Sequence, residues 1–363
     1  MELRRRSIVL GLSALTFAAA GSHRTSAAPV RAAPVTDTDD EWQVASPDSQ
    51  GISASGLEEV LDAGHSVYSL RSLVVVRNGY LIAERYYGAA AYSLLTIFSI
   101  TKSISSLLVG IAIHEGKIKN LDQTLGELLP EAAARHPEAR INQVTLARIL
   151  TQRTGLEYDD NNVAPLVAAK DAVSYVQLLP LGRNDPPNWV YSNAGCSLLS
   201  PILRRAVGEA IDEYAKQRLF SPLGITDFEW ERDNTGNPLS WRGLRLRTRD
   251  LAKIAWIMAD GGQWQGKQVV PADWVRDSTT SQVQVGTTLP PISDPGYGYL
   301  WWTGTLKGRP AAWGWGHGSQ FAMIVPSLRL AIATNAQAGS YQRTRAQDQQ
   351  VMALLTQIVE LTT

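Results

Sequence analysis

Apolar runs near the two ends of the chain predict β-strands. Residues 72–88, SLVVVRNGYLIAERYYG, contain two β-rich runs on either side of residues 77–79, and an Asn-Gly pair between such runs is typical of a tight hairpin. Residues 296–306 predict one strand that ends in a turn, and residues 319–335 predict two strands joined near Pro326–Leu328. Because these hairpins are local in sequence, they favour an antiparallel sheet over repeated β-α-β units.

Apolar residues spaced three and four apart predict helices, most of them between the two groups of strands. Leu57, Val60 and Leu61 indicate a short amphipathic helix. The segment that begins at Ser99 is apolar on nearly all sides, so we expect a buried helix that ends near Gly116. Further helical patterns occupy residues 144–155, 171–180, 193–208, 210–224, 248–262 and 344–363.

The first 41 residues differ from the rest of the chain. Three arginines at positions 4–6 precede a short apolar run and then small residues, which is the plan of an export signal of the twin-arginine type. The apolar run is shorter than the roughly 20 residues of a spanning helix, so we expect no stable membrane anchor. The prediction is a signal peptide at 1–28, a disordered linker at 29–41, a folded domain at 42–363, and a periplasmic or secreted protein.

The composition of the chain disfavours several classes of function. The formal net charge is zero and the pI about 7.0, so no basic surface indicates a nucleic-acid partner. The single cysteine, Cys196, lies in an apolar helical pattern and is interpreted as buried filler. The five histidines lack the spacing of metal ligands, so we expect no metal and no cofactor. No G-x-S-x-G is present, which disfavours an α/β-hydrolase.

Ser99 and Lys102 stand three residues apart at the start of the predicted buried helix, within FSITKS. This spacing places both side chains on one helix face. A serine hydroxyl becomes a nucleophile when a base takes its proton, and a lysine serves as that base when burial favours its uncharged amine. From this pair alone, a helix-capping serine and a surface lysine remain the alternative.

Two further segments carry candidate polar groups. In WVYSNAG, Tyr191 offers a phenol for proton transfer and Asn193 an amide for a substrate carbonyl, although a buried aromatic and a helix cap are the structural alternative. In WGWGHGSQF, small residues around His317 allow a ligand to approach a strand edge, whereas a glycine-rich loop explains the same pattern. Asp159 and Asp160, in EYDDNN, are interpreted as a solvated loop.

Three motifs therefore occur in a set order. They are Ser99-x-x-Lys102, Tyr191-x-Asn193, and His317–Gly318–Ser319 ahead of an apolar strand. In this order they resemble the motifs of the serine β-lactamase and penicillin-binding-protein superfamily. The resemblance is greater to its class C-type branch, which includes esterases, D-aminopeptidases and 6-aminohexanoate-oligomer hydrolases. It covers nearly the whole exported chain and extends to LTQRTGLEYDD and YGYLWW.

The resemblance implies a role for each motif residue. The implied catalytic residues are Ser99 as the acylated nucleophile, Lys102 as the base or electrostatic activator, and Tyr191 as an assistant in proton transfer. The implied substrate-binding residues are Asn193, His317, Gly318, Ser319 and Gln320, with the backbone amides of Ser99 and Gln320 as the oxyanion hole. The implied fold is α+β, with an antiparallel sheet flanked by helices (about 42–114 and 241–363) beside a mainly helical lobe (about 115–240).

One departure from the motifs bears on the substrate. His317 stands where many relatives have a lysine, and Ser319 replaces the usual glycine. A neutral imidazole attracts a carboxylate less than a lysine does, which favours esters or uncharged amides over β-lactams. The prediction is an exported serine hydrolase acting on a small ester, amide or peptide through an acyl-enzyme. The alternatives are a β-lactamase or DD-peptidase acting on cell-wall peptides or β-lactams, and a slow-turnover penicillin-binding sensor.

Overall fold

The computed structural model describes residues 42–184, 187–286, 289–339 and 341–362, so the predicted export signal and linker lie outside the described residues. The strands are β1 Gln43–Val44, β2 Leu70–Arg77, β3 Tyr80–Tyr86, β4 Leu95–Thr96, β5 Glu229–Trp230, β6 Leu244–Leu246, β7 Gln263–Trp264, β8 Lys267–Gln268, β9 Val283–Gln284, β10 Ser293–Tyr297, β11 Trp302–Leu306, β12 Arg309–Gly316, β13 Gln320–Val325 and β14 Leu330–Ala336. The α-helices are α1 Ala54–Ala63, α2 Ile100–His114, α3 Leu125–Leu128, α4 Pro130–Arg135, α5 Leu146–Leu150, α6 Ala164–Ala168, α7 Ala172–Gln177, α8 Asn193–Ser197, α9 Leu199–Val207, α10 Ile211–Ala215, α11 Thr248–Ala259, α12 Ala272–Thr279 and α13 Tyr341–Glu360.

The main sheet contains strands from both the N-terminal and the C-terminal parts of the described chain. Its nine strands follow the order β1-β3-β2-β14-β13-β12-β11-β10-β9. All neighbouring pairs are antiparallel except β1 and β3, which run parallel. Helices α3 to α10 fall between the two groups of strands in the sequence. The predicted α+β fold with an antiparallel sheet is confirmed, while its division into two lobes stays a prediction.

Two predicted hairpins of this sheet are confirmed. Arg77 pairs with Tyr80, and the two residues between them, Asn78 and Gly79, have φ values of 54° and 88°. Positive φ at both central positions defines the type I′ turn that matches the twist of the strands. At the second hairpin, β13 and β14 are joined by a short 3-10 turn at Pro326–Leu328.

The strand prediction was wrong at two places. Residues 296–306 form two antiparallel strands, β10 and β11, rather than one. Strand β12 was missed because its end, WGWG, has the composition of a loop. Glycine is required in that strand for close packing: a Cβ at Gly314 would lie 3.0 Å from Ile100, and one at Gly316 would lie 2.3 Å from the Ile97 carbonyl oxygen. These two glycines let the start of α2 lie directly against β12.

Helix α2 is buried as predicted, and every residue from Ile100 to Ala112 is inaccessible to solvent or nearly so. The chain leaves this helix at Gly116, whose φ of 68° suits a glycine. Several other helices are shorter than predicted: residues 144–155 contain only α5, and residues 193–208 form two helices, α8 and α9, that meet at Leu198. Among the described helices, none has the length and apolarity to cross a membrane.

Candidate active site

Ser99 lies immediately before α2, at the helix N-cap position, but its side chain caps none of the helix amides. The alternative of a capping serine is therefore wrong. The preceding residue, Phe98, has a φ of 46°, which is unfavourable for a residue with a side chain. Its carbonyl accepts a hydrogen bond from the Thr101 hydroxyl at 2.6 Å. Such local backbone strain beside a candidate nucleophile is common at functional sites.

Lys102 lies one turn into α2, where only 1% of its surface is exposed. Its ammonium nitrogen, Nζ, donates to Ser99 Oγ at 3.0 Å and to the Trp241 carbonyl oxygen at 2.8 Å. Within the described part of the chain, Lys102 has no carboxylate partner at ion-pair distance. Lys102 is thus a buried side chain that contacts the serine hydroxyl directly. The alternative of a surface lysine is therefore wrong.

Tyr191 comes from the turn that leads into α8. Its ring centroid lies 4.9 Å from Lys102 Nζ, so the aromatic ring adjoins the pair formed by the amine and the serine hydroxyl. Gln152 holds this turn on both sides of Tyr191: its side-chain oxygen accepts from the Ser192 amide at 2.7 Å and its backbone oxygen accepts from the Val190 amide at 3.0 Å. Gln152 is buried with a φ of 58°, and sequence analysis gave it no role.

Asn193, the first residue of α8, is tied to a carboxylate. Its backbone N–H donates to the two oxygens of Asp160 at 2.9 and 3.2 Å. Burial raises the pKa of Asp160 to about 6, although the Asn193 hydrogen bond and the nearby Lys102 act to lower it. Asp159 is exposed, as expected of a solvated loop, but for Asp160 that interpretation was wrong. The Asn193 side-chain oxygen is buried and accepts no hydrogen bond from the described residues.

The third motif forms the turn between β12 and β13. His317 is exposed at the turn and packs against the edge of the Phe98 ring, with the ring centroids 5.7 Å apart. Ser319 is fully buried and donates to Asp348 Oδ1 at 2.6 Å. The Gln320 side chain, also fully buried, donates to the carbonyl oxygens of Gly318 and Ala336 at 2.9 and 2.7 Å. The side chains of Ser319 and Gln320 thus stabilise the turn through buried hydrogen bonds.

The backbone amide of Gln320 is not turned towards Ser99. The next amide, that of Phe321, donates to Thr334 Oγ1 on β14 at 3.2 Å. Because successive N–H groups of a strand point to opposite neighbours, the Gln320 amide points to β12, where Gln320 pairs with Gly316. This register disagrees with the oxyanion role that the resemblance implies for Gln320.

Ser99, Tyr191 and His317 all line one cavity of about 430 Å³. Its wall is aromatic: the Trp302 ring lies 5.5 Å from that of Trp189 and 5.2 Å from that of Trp315, between centroids. The Tyr191 ring stacks on Trp302 at 6.2 Å. A cavity of this size with an apolar wall and few polar groups is typical of a small-molecule site. Four residues predicted to bind substrate do not line it: Asn193, Gly318, Ser319 and Gln320.

The cavity also contains a cation that sequence analysis missed. Arg345, in the first turns of α13, lines it together with Asp348. His317 occupies the position of the missing lysine, but the expectation of a cavity without a fixed cation needs correction, because Arg345 supplies a permanent positive charge. Among the described residues, no group of three or more candidate metal ligands occurs.

Comparison with known proteins agrees with this architecture. The family described as Beta-lactamase matches residues 63–357. The chain is 25% identical over 266 residues to 6-aminohexanoate-dimer hydrolase of Paenarthrobacter ureafaciens, a match that covers 66% of this chain and 65% of that relative. It is 26% identical over 181 residues to lovastatin esterase of Penicillium rubens, covering 43% of each. The chain thus spans about two thirds or less of these relatives.

A solved structure shares the fold. The class C beta-lactamase of Rhodobacter sphaeroides superposes with a TM-score of 0.61 at 16% identity, covering 84% of this chain and 99% of that one. At that identity the likeness concerns the fold alone. The family match itself spans most of the chain and includes all three motifs. The chain therefore belongs to the Beta-lactamase family, a serine hydrolase family within the β-lactamase and penicillin-binding-protein superfamily.

Proposed function

We propose that this protein hydrolyses a small ester or amide through an acyl-enzyme on Ser99. The observation that carries the proposal is the 3.0 Å contact between Ser99 Oγ and the buried Lys102 Nζ, beside an apolar cavity. A nucleophile within hydrogen-bond reach of a base is the arrangement that covalent catalysis requires. Proton transfer of this kind contributes about 10²–10⁴-fold to rate.

The proposed reaction has two halves. The uncharged amine of Lys102 takes the proton of Ser99 while Oγ bonds to the substrate carbonyl carbon. The resulting oxyanion collapses and breaks the bond to the leaving alcohol or amine, which receives the proton held by Lys102, either directly or by relay through the Tyr191 phenol. A water molecule then loses a proton to the same base and attacks the ester carbon. The bond between the acyl carbon and Ser99 Oγ then breaks, and the acid product departs. Ser99 Oγ regains its proton from the protonated base.

The oxyanion needs hydrogen-bond donors, and we assign them to two backbone amides. The first belongs to Ser99. The second belongs to His317, because the Gln320 amide points into the β12–β13 hairpin whereas His317 continues the edge of β12 that lines the cavity. One such donor is worth about 10²–10³ in kcat.

The substrate class follows from the cavity wall. Three tryptophans and Tyr191 surround the serine, so an apolar acyl or leaving group gains contact area there. Two relatives are named as a 6-aminohexanoate-dimer hydrolase and a lovastatin esterase. Both names fit hydrolysis of an amide or an ester. We therefore place short-chain esters and aminohexanoate-type amides first among the candidates.

A fluorophosphonate probe tests the proposal directly. The probe bonds covalently to an activated serine, so we expect one adduct per chain, found by peptide mass spectrometry on the peptide that contains Ser99. Heat-unfolded protein is the control and should take no probe. Hydrolysis of a panel of esters, D-amino-acid amides, aminohexanoate oligomers and β-lactams then defines the substrate. Full hydrolytic activity in protein whose Ser99 takes no probe would contradict the proposal.

The second candidate is a site that accepts carboxylate-bearing substrates such as β-lactams, and Arg345 is the observation that favours it. We expect Arg345→Gln to raise KM for nitrocefin about tenfold while KM for neutral p-nitrophenyl acetate changes less than twofold, because only the anion pairs with the guanidinium. Equal effects on both substrates would show that Arg345 does not recognise charge. A burst of nitrocefin acylation without turnover would favour the penicillin-binding sensor.

We also propose that the protein is exported and then released from its signal peptide. The cationic start, short apolar run and small residues of the first 28 positions support this. Fractionation of cells expressing the full chain and a chain that starts at position 29 tests it. Equal amounts of both proteins in the cytoplasm would contradict export.

A further inference from the structure

We propose that Asp160 is a positioning residue for the Ser99 site: its carboxylate fixes the turn that carries Tyr191 and Asn193, and it places a negative charge beside Lys102. This role rests on the proposed hydrolase function. It adds a residue that lies outside all three sequence motifs.

The first argument is the geometry of the turn. Three backbone amides around Tyr191 are held by one segment of chain, residues 152–160. Gln152 accepts from the amides of Val190 and Ser192, and Asp160 accepts from that of Asn193 with both oxygens. The remaining freedom of the Tyr191 ring is limited by its stacking on Trp302. A catalytic side chain held on both flanks is preorganised, and small displacements of such groups have large effects on rate.

The second argument is the charge around Asp160. The titratable groups that act on it, or on which it acts, are Lys102 of α2, Asp159 and Tyr158 of its own loop, and the buried Cys196 thiol of α8. In this set Lys102 provides the positive charge. When Lys102 takes the serine proton it becomes a buried cation, and a nearby carboxylate stabilises that cation. Asp160 thus favours the proton transfer from Ser99.

The third argument is the pH dependence that Asp160 gives to the stability of the fold. Burial raises its pKa from 3.8 to about 6, so the native state holds the proton more tightly than the unfolded chain does. Stability from this group is present at low pH and is lost as pH rises from about 4 to 6. The carboxyl group therefore changes charge near pH 6 next to the candidate active site, and both stability and activity should report that change.

The test compares Asp160→Asn, which keeps an oxygen acceptor but loses the charge, with Asp160→Ala, which loses both. Asp159→Asn is the matched control, since it removes the same charge from the exposed neighbouring carboxylate, whose hydrogen bonds within the described ranges come from Asn161 alone. The readouts are the rate of fluorophosphonate labelling from pH 4 to 9 and the melting temperature at pH 4 and pH 8.

We expect Asp160→Asn to slow labelling about tenfold at pH 8 and to remove the rise in rate that wild type shows near pH 6. Asp160→Ala should slow it further, and Asp159→Asn should match wild type. The fall in melting temperature from pH 4 to pH 8 should be smaller for Asp160→Asn than for wild type, because the variant lacks the titrating carboxyl group.

Two results would overturn the role of Asp160. One is an Asp160→Asn protein with the labelling rate and pH profile of wild type. The other is an Asp160→Asn protein whose labelling slows by the same factor at every pH from 4 to 9, since the charge of the carboxylate would then have no effect on the serine. If wild type itself takes no probe, the proposed function fails as well, so the two failures are distinguishable.

Discussion

Replacing Ser99 with alanine is expected to abolish labelling by a fluorophosphonate and to lower kcat/KM for the best ester of the panel by at least about 10³-fold. The reason is that no acyl-enzyme forms without Oγ, and removing a nucleophile from a serine hydrolase leaves only binding and oxyanion stabilisation. The fold should be unaffected. Ser99 caps no helix amide, so the substitution removes no structural hydrogen bond beyond the one from Lys102.

Ser106→Ala is the matched control for this substitution. Ser106 lies two turns further along α2, is fully buried, and its hydroxyl has no hydrogen-bond partner among the described residues. The same loss of an oxygen there should leave both activity and melting temperature near wild type. A Ser99→Ala protein that cleaves p-nitrophenyl acetate at the wild-type rate would refute the acyl-enzyme on Ser99.

Sequence analysis predicted an arrangement of residues correctly where that arrangement depends on residues close together in the chain. Ser99 and Lys102 share a helix face because three residues make nearly one turn, and this holds wherever the helix packs. The Asn78–Gly79 turn was likewise predictable, because positive φ at two successive positions selects for these residue types. Convergence of the three motifs on one cavity depended on the family resemblance, since no local pattern brings residue 99 near residue 317.

Strand β12 was not predictable, because its glycines serve a distant contact. Gly314 and Gly316 disfavour a strand by propensity, and only the packing of α2 against them makes a small residue necessary. The oxyanion role of Gln320 came from the family resemblance, and the pairing of Gln320 with Gly316 across this hairpin disagrees with it.

Gln152 and Asp160 were missed for a related reason. EYDDNN has the composition of a solvated loop, and its two aspartates are equivalent in sequence. What distinguishes them is a contact across 33 residues, from Asp160 to the Asn193 amide. Both residues lie in LTQRTGLEYDD, a stretch that the family resemblance already included, so the resemblance was the available signal.

Replacing Lys102 with methionine separates catalysis from stability, because this buried lysine forms no direct ion pair with a carboxylate among the described residues. Methionine has a similar shape and no charge to desolvate, so the melting temperature is expected to stay within about 3 °C of wild type. Activity should fall by about 10³-fold, within the range that general-base groups contribute. The substitution also removes the hydrogen bond to the Trp241 carbonyl oxygen and the contact of the ammonium with the Tyr191 ring. Labelling of Ser99 and ester hydrolysis should decline together, since both need the serine proton removed.

Lys253→Met is the matched control, and it should give the opposite pattern. Lys253 is also fully buried, but it lies on α11 away from the cavity lining, and its ammonium is 3.7 Å from Asp250. Asp250 keeps its ion pair with Arg247 at 2.6 Å, so removing Lys253 takes away one cation beside this buried carboxylate and destabilises the fold. The melting temperature should therefore fall while kcat/KM for the folded protein is retained. If Lys102→Met keeps wild-type activity, or if both variants lose stability alike, Lys102 is a structural lysine and the serine has another base.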